Sequence, residues 1–150
     1  MGDQYVNTSQ SNQSKAKFLA HLLDDLKSLA YMLEQNLIEN DIVRIGAEQE
    51  FCLVDAQWRP AKNALSILEE INDTHFTTEL ARYNLEANLD PFELKAGVFT
   101  TVENQLKNLL EKAKKAAAEH DTKILLAGIL PSITKHELEL EYMTPKDRYY

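Results

Sequence analysis

A single cysteine, Cys52, in 150 residues excludes an internal disulfide and points to a reducing compartment. No apolar run approaches the length of a membrane span, and the N-terminus lacks the apolar core of a signal peptide, so the expected location is cytoplasmic and no membrane partner is expected. Positive charge is also scarce: 16 Lys and Arg against 24 Asp and Glu leave a formal net charge of −8. That balance argues against nucleic acid as the main partner. There is no Gly-rich phosphate loop, no internal repeat and no low-complexity tract. The 44% apolar content suffices for a real core, and the length is that of one domain, with no internal boundary visible.

Against those absences stands an unusual pair of carboxylates. In the run Ile45-Gly46-Ala47-Glu48-Gln49-Glu50-Phe51-Cys52-Leu53-Val54, alternation puts Glu48, Glu50 and Cys52 on one face of a strand, with Gln49, Phe51 and Leu53 on the other. Adjacent carboxylates repel unless a cation lies between them, and hard divalent cations prefer carboxylate oxygens. The competing reading is an edge strand with a solvated acidic face. Cys52, with no His or Lys partner in view, reads as small apolar packing.

A second alternating segment follows. From Arg82 onward, Arg82, Asn84, Glu86 and Asn88 share one face, while Ala81, Tyr83, Leu85, Ala87 and Leu89 share the other. The polar stripe carries a cation, two amides and a carboxylate, groups that orient a charged ligand. If the two strands are neighbours, Glu86 joins Glu48 and Glu50.

The remaining elements read more simply. Residues 1–14 are polar and form a loose leader, and Ser14 caps a helix over 14–38 with Phe18, Leu22, Leu26, Leu29 and Leu33 at helical spacing. Short and long helices are expected over 64–71 and 101–120, and Asp90-Pro91 ends the second strand. The apolar run over 124–129 predicts a strand buried on both faces or central in the sheet. The Lys112, Lys114 and Lys115 cluster, interleaved with Glu111 and Glu119, reads as a solvated helix face.

Three stretches together resemble one family. Gly46-Ala47-Glu48-Gln49-Glu50 looks like the G-x-E-x-E opening of the glutamate–cysteine ligase type 2, or carboxylate–amine ligase, family. Glu79-Leu80-Ala81-Arg82-Tyr83-Asn84-Leu85-Glu86 is similar to the strand that follows, and Gly128-Ile129-Leu130-Pro131 with Met143-Thr144-Pro145-Lys146-Asp147-Arg148-Tyr149 to its G-x-x-P…R-Y region. Where better-known members carry Gly-Thr-His-Pro, this chain has Gly128-Ile129-Leu130-Pro131, so the role of that histidine cannot be carried over; His136 is not an obvious substitute.

The resemblance implies an α+β fold, an antiparallel-dominated sheet with flanking helices in a glutamine-synthetase-like catalytic domain, of which residues 15–150 would be the N-terminal part. Strand–helix alternation alone would suggest a parallel sheet, but one-face polarity in the first two strands favours the antiparallel one. The implied reaction joins the side-chain carboxylate of glutamate to cysteine through an acyl phosphate, with ATP and Mg²⁺ (or Mn²⁺) as cofactors. By match to the family pattern, Glu48, Glu50 and Glu86 are the metal ligands, Arg82 and Arg148 catalytic candidates, and Asn84 a cofactor-binding candidate. Small amino-acid substrates are the implied partners, a homo-oligomer is left open, and the 1–150 piece alone is expected to be inactive. The alternative is a catalytically silent ligase-like domain that binds nucleotide or amino acid as a regulatory module.

Overall fold

The computed structural model describes residues 12–146, which divide into two units, one ending at Val43 and one from Arg44 onward. The first unit is built on helix α1, Asn12–Glu34. Three residues of the expected leader, Asn12 to Ser14, therefore already belong to the helix; the rest of the leader lies outside the described residues. The helix stops before Ile38 because Asn36 turns left-handed (φ 52°), with Asn36 N–H on the Leu33 carbonyl and Leu37 N–H on that of Met32. Asparagine tolerates that conformation, and the paired bonds satisfy the terminal carbonyls. Among the described residues, no helix is long and apolar enough to cross a membrane.

The second unit is α+β. In chain order it contains β1 (Arg44–Ile45), β2 (Glu48–Val54), α2 (Ala64–Ile71), β3 (Phe76–Thr78), β4 (Asn84–Asn88), β5 (Phe92–Glu93), α3 (Val98–Ala118) and β6 (Lys123–Leu125). Two 3₁₀ turns follow, Lys135–Leu138 and Leu140–Tyr142. A four-stranded sheet runs β3-β4-β2-β6, and β1 pairs with β5 separately. Every pairing is antiparallel.

One sheet face carries the core. Phe51 and Leu53 of β2, Leu85 and Ala87 of β4 and Phe76 of β3 pack against Ile67 and Ile71 of α2 and Leu109, Ala113 and Ala117 of α3. Helix α2 falls where its periodicity placed it and ends at Asn72, again left-handed (φ 43°). Helix α3 starts three residues earlier than expected, after Gly97, whose φ of 83° suits a residue without Cβ.

The apolar run over 124–129 departs from expectation. Only Lys123–Leu125 pairs, at the sheet edge, because β2 offers it partners only from Cys52 to Val54. The chain then leaves the ladder and crosses the opposite sheet face, where Leu130 packs on Cys52 and Val54. Ile129, expected to be buried, is 80% exposed.

A polar clamp closes the end of the sheet at β3 and β4. His75 places Nδ1 2.7 Å from Asp73 and Nε2 3.4 Å from Asp90, Lys112 of α3 pairs with Asp73, and Gln105 of α3 donates to Asp90. The Asp73 hydrogen bond raises the His75 pKa, and the Lys112 contact holds the Asp73 carboxyl below the usual range. An imidazole with a raised folded-state pKa stabilises the fold below its unfolded value, about 6.5, and loses that contribution as pH rises through the folded value. The melting temperature should therefore fall between pH 6 and pH 8.5 by on the order of 2 °C more in the native chain than in His75→Gln, given the group's partial exposure. Calorimetric scans at the two pH values check this.

Candidate functional site

The sheet face opposite the core carries the polar stripe. The β2–β4 register sets Glu50 directly across from Glu86, Glu48 across from Asn88, and Cys52 across from Asn84. Two carboxylates opposed across a ladder destabilise it unless something intervenes. Glu86 is moreover buried (5% exposed), accepting a hydrogen bond from Asn88 Nδ2 at 2.7 Å.

A third carboxylate completes the group. Each of Glu50, Glu79 and Glu86 offers a carboxylate oxygen, and the three atoms lie within 4.8 Å of one another. Thr77 of β3 pairs with Glu86, so Glu79, two residues further on, extends the same face toward the pair. Burial, then the Glu86 and Glu50 charges, raise the Glu79 carboxyl pKa.

Of the expected metal ligands, Glu50 and Glu86 come together. Glu48 shares their face but lies two residue pairs along, opposite Asn88 and outside the cluster. Glu79 takes the third place. The sequence pattern does not mark it as a ligand because clean alternation begins at Arg82; its signal is the short run Phe76-Thr77-Thr78, whose period of two carries on to Glu79.

Arg82 does not join the stripe. Ala81 to Asn84 form a turn, closed by Asn84 N–H on the Ala81 carbonyl at 3.0 Å, and this breaks the alternation. Arg82 instead reaches the Glu141 carbonyl through Nη1 at 3.4 Å. The same turn brings Tyr83 to the cavity wall, although the pattern assigned it to the core face. Asn84 stays on the site face, with Nδ2 3.8 Å from Cys52 Sγ. Arg148 lies outside the described residues.

Beside the carboxylates opens a cavity of about 210 Å³. Glu50 and Glu79 form its acidic end, Cys52 and Asn84 belong to its floor, and Leu80, Tyr83, Leu130 and Ile133 are among its walls. Burial is the first cause that raises the Cys52 thiol pKa, so it remains a protonated packing group, as its lack of a basic partner suggested. Leu130, at the position of the family's histidine, is buried at 3% exposure. His136 is no replacement: it stacks edge-on with Tyr142 and faces Glu139 and Glu141.

The donor set fits a hard divalent cation. Three carboxylates supply oxygen only, which suits Mg²⁺ or Mn²⁺. Without a cation, the raised Glu79 pKa means that the fold gains from the protonated form at low pH and loses that gain as pH rises through the folded-state value. In chelator-treated buffer at pH 8, Glu79→Gln should thus raise the melting temperature by on the order of 2 °C, with no gain at pH 4. The chain matches no protein-family model, no curated protein and no solved structure.

Proposed function

We propose that the protein is an ATP- and Mg²⁺-dependent carboxylate–amine ligase, joining the side-chain carboxylate of glutamate to an amine, with cysteine the amine that the resemblance implies. The observation that carries this reading is the convergence of Glu50, Glu79 and Glu86 beside a cavity of substrate size, on an antiparallel sheet. Without a cation these carboxylates are a liability; with one they become a site for an anionic substrate. The cation, when bound, neutralises phosphate oxygens.

In such a reaction the glutamate carboxylate attacks the terminal phosphorus of ATP and ADP leaves. The amine nitrogen then attacks the acyl carbon of the resulting acyl phosphate. The C–N bond forms as the C–O bond to phosphate breaks, and the departing phosphate takes the proton that nitrogen loses. The chain's own contribution is to hold and orient. Asn88 fixes the Glu86 carboxylate, and the β2–β4 ladder fixes Glu50 opposite it.

The test is ADP release by the longest native form of the chain with Mg²⁺, ATP and glutamate, with and without an amine. Amine-dependent release supports the ligase. Nucleotide and metal binding without release from any amine would support the silent regulatory module, which the burial of Leu130 at the histidine's position favours.

A further inference from the structure

The cavity beside the carboxylates has a chemical character of its own. Glu50 and Glu79 are its charged lining groups, and Leu80, Leu130 and Ile133 give it an aliphatic wall beside Cys52, Tyr83 and Asn84. Those wall residues belong to two segments that the sheet brings together, the turn after β3 and the loop after β6. Leu130 is anchored on Cys52 and Val54 of β2, with Ile133 packed against the same cluster. The wall is thereby fixed to the strand that carries Glu50.

Size narrows the occupant. A cavity of about 150 Å³ holds a six-carbon ring such as benzene. At about 210 Å³ this one exceeds the needs of a cysteine side chain, which would leave most of the aliphatic wall facing water. Glycine or alanine would leave more. Scaled from that ring, about eight heavy atoms fill the space, which is a whole amino acid of valine-to-leucine size, and its three or four aliphatic carbons cover that wall.

We propose that this cavity selects the amine of the ligation and that its preferred occupant is an amino acid with a branched aliphatic side chain of valine-to-leucine size. The proposal rests on the ligase reading for the amine's role, but the recognition itself is a binding event. Glu50 and Glu79 line both the cavity and the acidic cluster, so a side chain seated on the aliphatic wall leaves the amino group beside the carboxylates. A pocket of this kind discriminates by the methylenes it can bury, each worth about 10-fold or more in kcat/KM.

Two measurements keep pocket and reaction apart. The first is binding of leucine, valine, cysteine and glycine to the longest native form in the presence of Mg²⁺, glutamate and a non-hydrolysable ATP analogue. It is read from the methyl resonances of Leu80, Leu130 and Ile133. Leucine should bind at least about 10-fold more tightly than cysteine and glycine, with shifts at all three methyl groups. Ile133→Trp, which fills the cavity from the loop, should invert that order, and Ile133→Val should keep it. The second measurement is ADP release with the same amines. Tight leucine binding without release would retain the pocket and remove the ligase. Release that is indifferent to the side chain, or equal binding of leucine and glycine, would overturn the pocket. Absence of binding by all four amino acids would overturn it as well.

Discussion

Glu86→Gln is expected to lower amine-dependent ADP release by well over a hundredfold while leaving the chain folded. Replacing residues that only orient metal ligands typically costs about 10- to 100-fold, and Glu86 is itself the buried member of the donor group. The substitution is nearly isosteric, and Asn88 Nδ2 can still donate to the carboxamide oxygen that replaces Glu86 Oε1. It also removes one of two carboxylates opposed across the ladder, so the melting temperature should hold or rise slightly. Loss of turnover with an unchanged melting temperature separates a functional carboxylate from a structural one. Turnover within about threefold of the native chain would remove Glu86 from the site, against the about 10-fold minimum for even an orienting residue.

The second large effect lies on the other side of the same strand. Phe51→Ala should destabilise the chain by about 3–5 kcal/mol, measured as the shift in denaturant midpoint at constant slope. Phe51 is fully buried between sheet and helices, and its backbone pairs with Leu85, itself fully buried. Because Phe51 follows Glu50 directly, loss of the ring releases the strand that aims the carboxylate. Metal affinity should therefore fall together with stability. A polar-face substitution such as Glu48→Gln should leave both unchanged.

What the residues disclosed in advance follows from length and period. Helix α2 is legible in its extent but not in its inner face: the period suggests Leu65, Leu68 and Ile71, whereas Ala64, Ile67 and Ile71 are buried, Leu68 is partly so and Leu65 is exposed. That Glu86 could join Glu50 is legible because the segments that form β2 and β4 are long enough to assign faces, but that the two strands are neighbours stays a condition until the register is known. Strand β3 is three residues long, too short for alternation to register, and Glu79 was lost with it. Gly46 and Ala47 interrupt what reads as one strand, separating β1 from β2. The run over 124–129 was misleading for a different reason. Apolar side chains serve equally to line a central strand or to cover a sheet face, and Leu125 of the run, with Leu130 just beyond it, packs on the Cys52 and Val54 face. Period alone puts Arg82 on the polar stripe, and period cannot foresee the turn from Ala81 to Asn84 that breaks it.

The most direct test of the account is stoichiometric Mn²⁺ binding, followed by electron paramagnetic resonance of the free ion, in the native chain and in Glu79→Gln and Glu48→Gln. Glu79 belongs to the three-carboxylate cluster and Glu48 does not. Mn²⁺ should bind the native chain and Glu48→Gln alike and be lost from Glu79→Gln. Binding lost from Glu48→Gln but retained by Glu79→Gln, or no binding by the native chain, would contradict it.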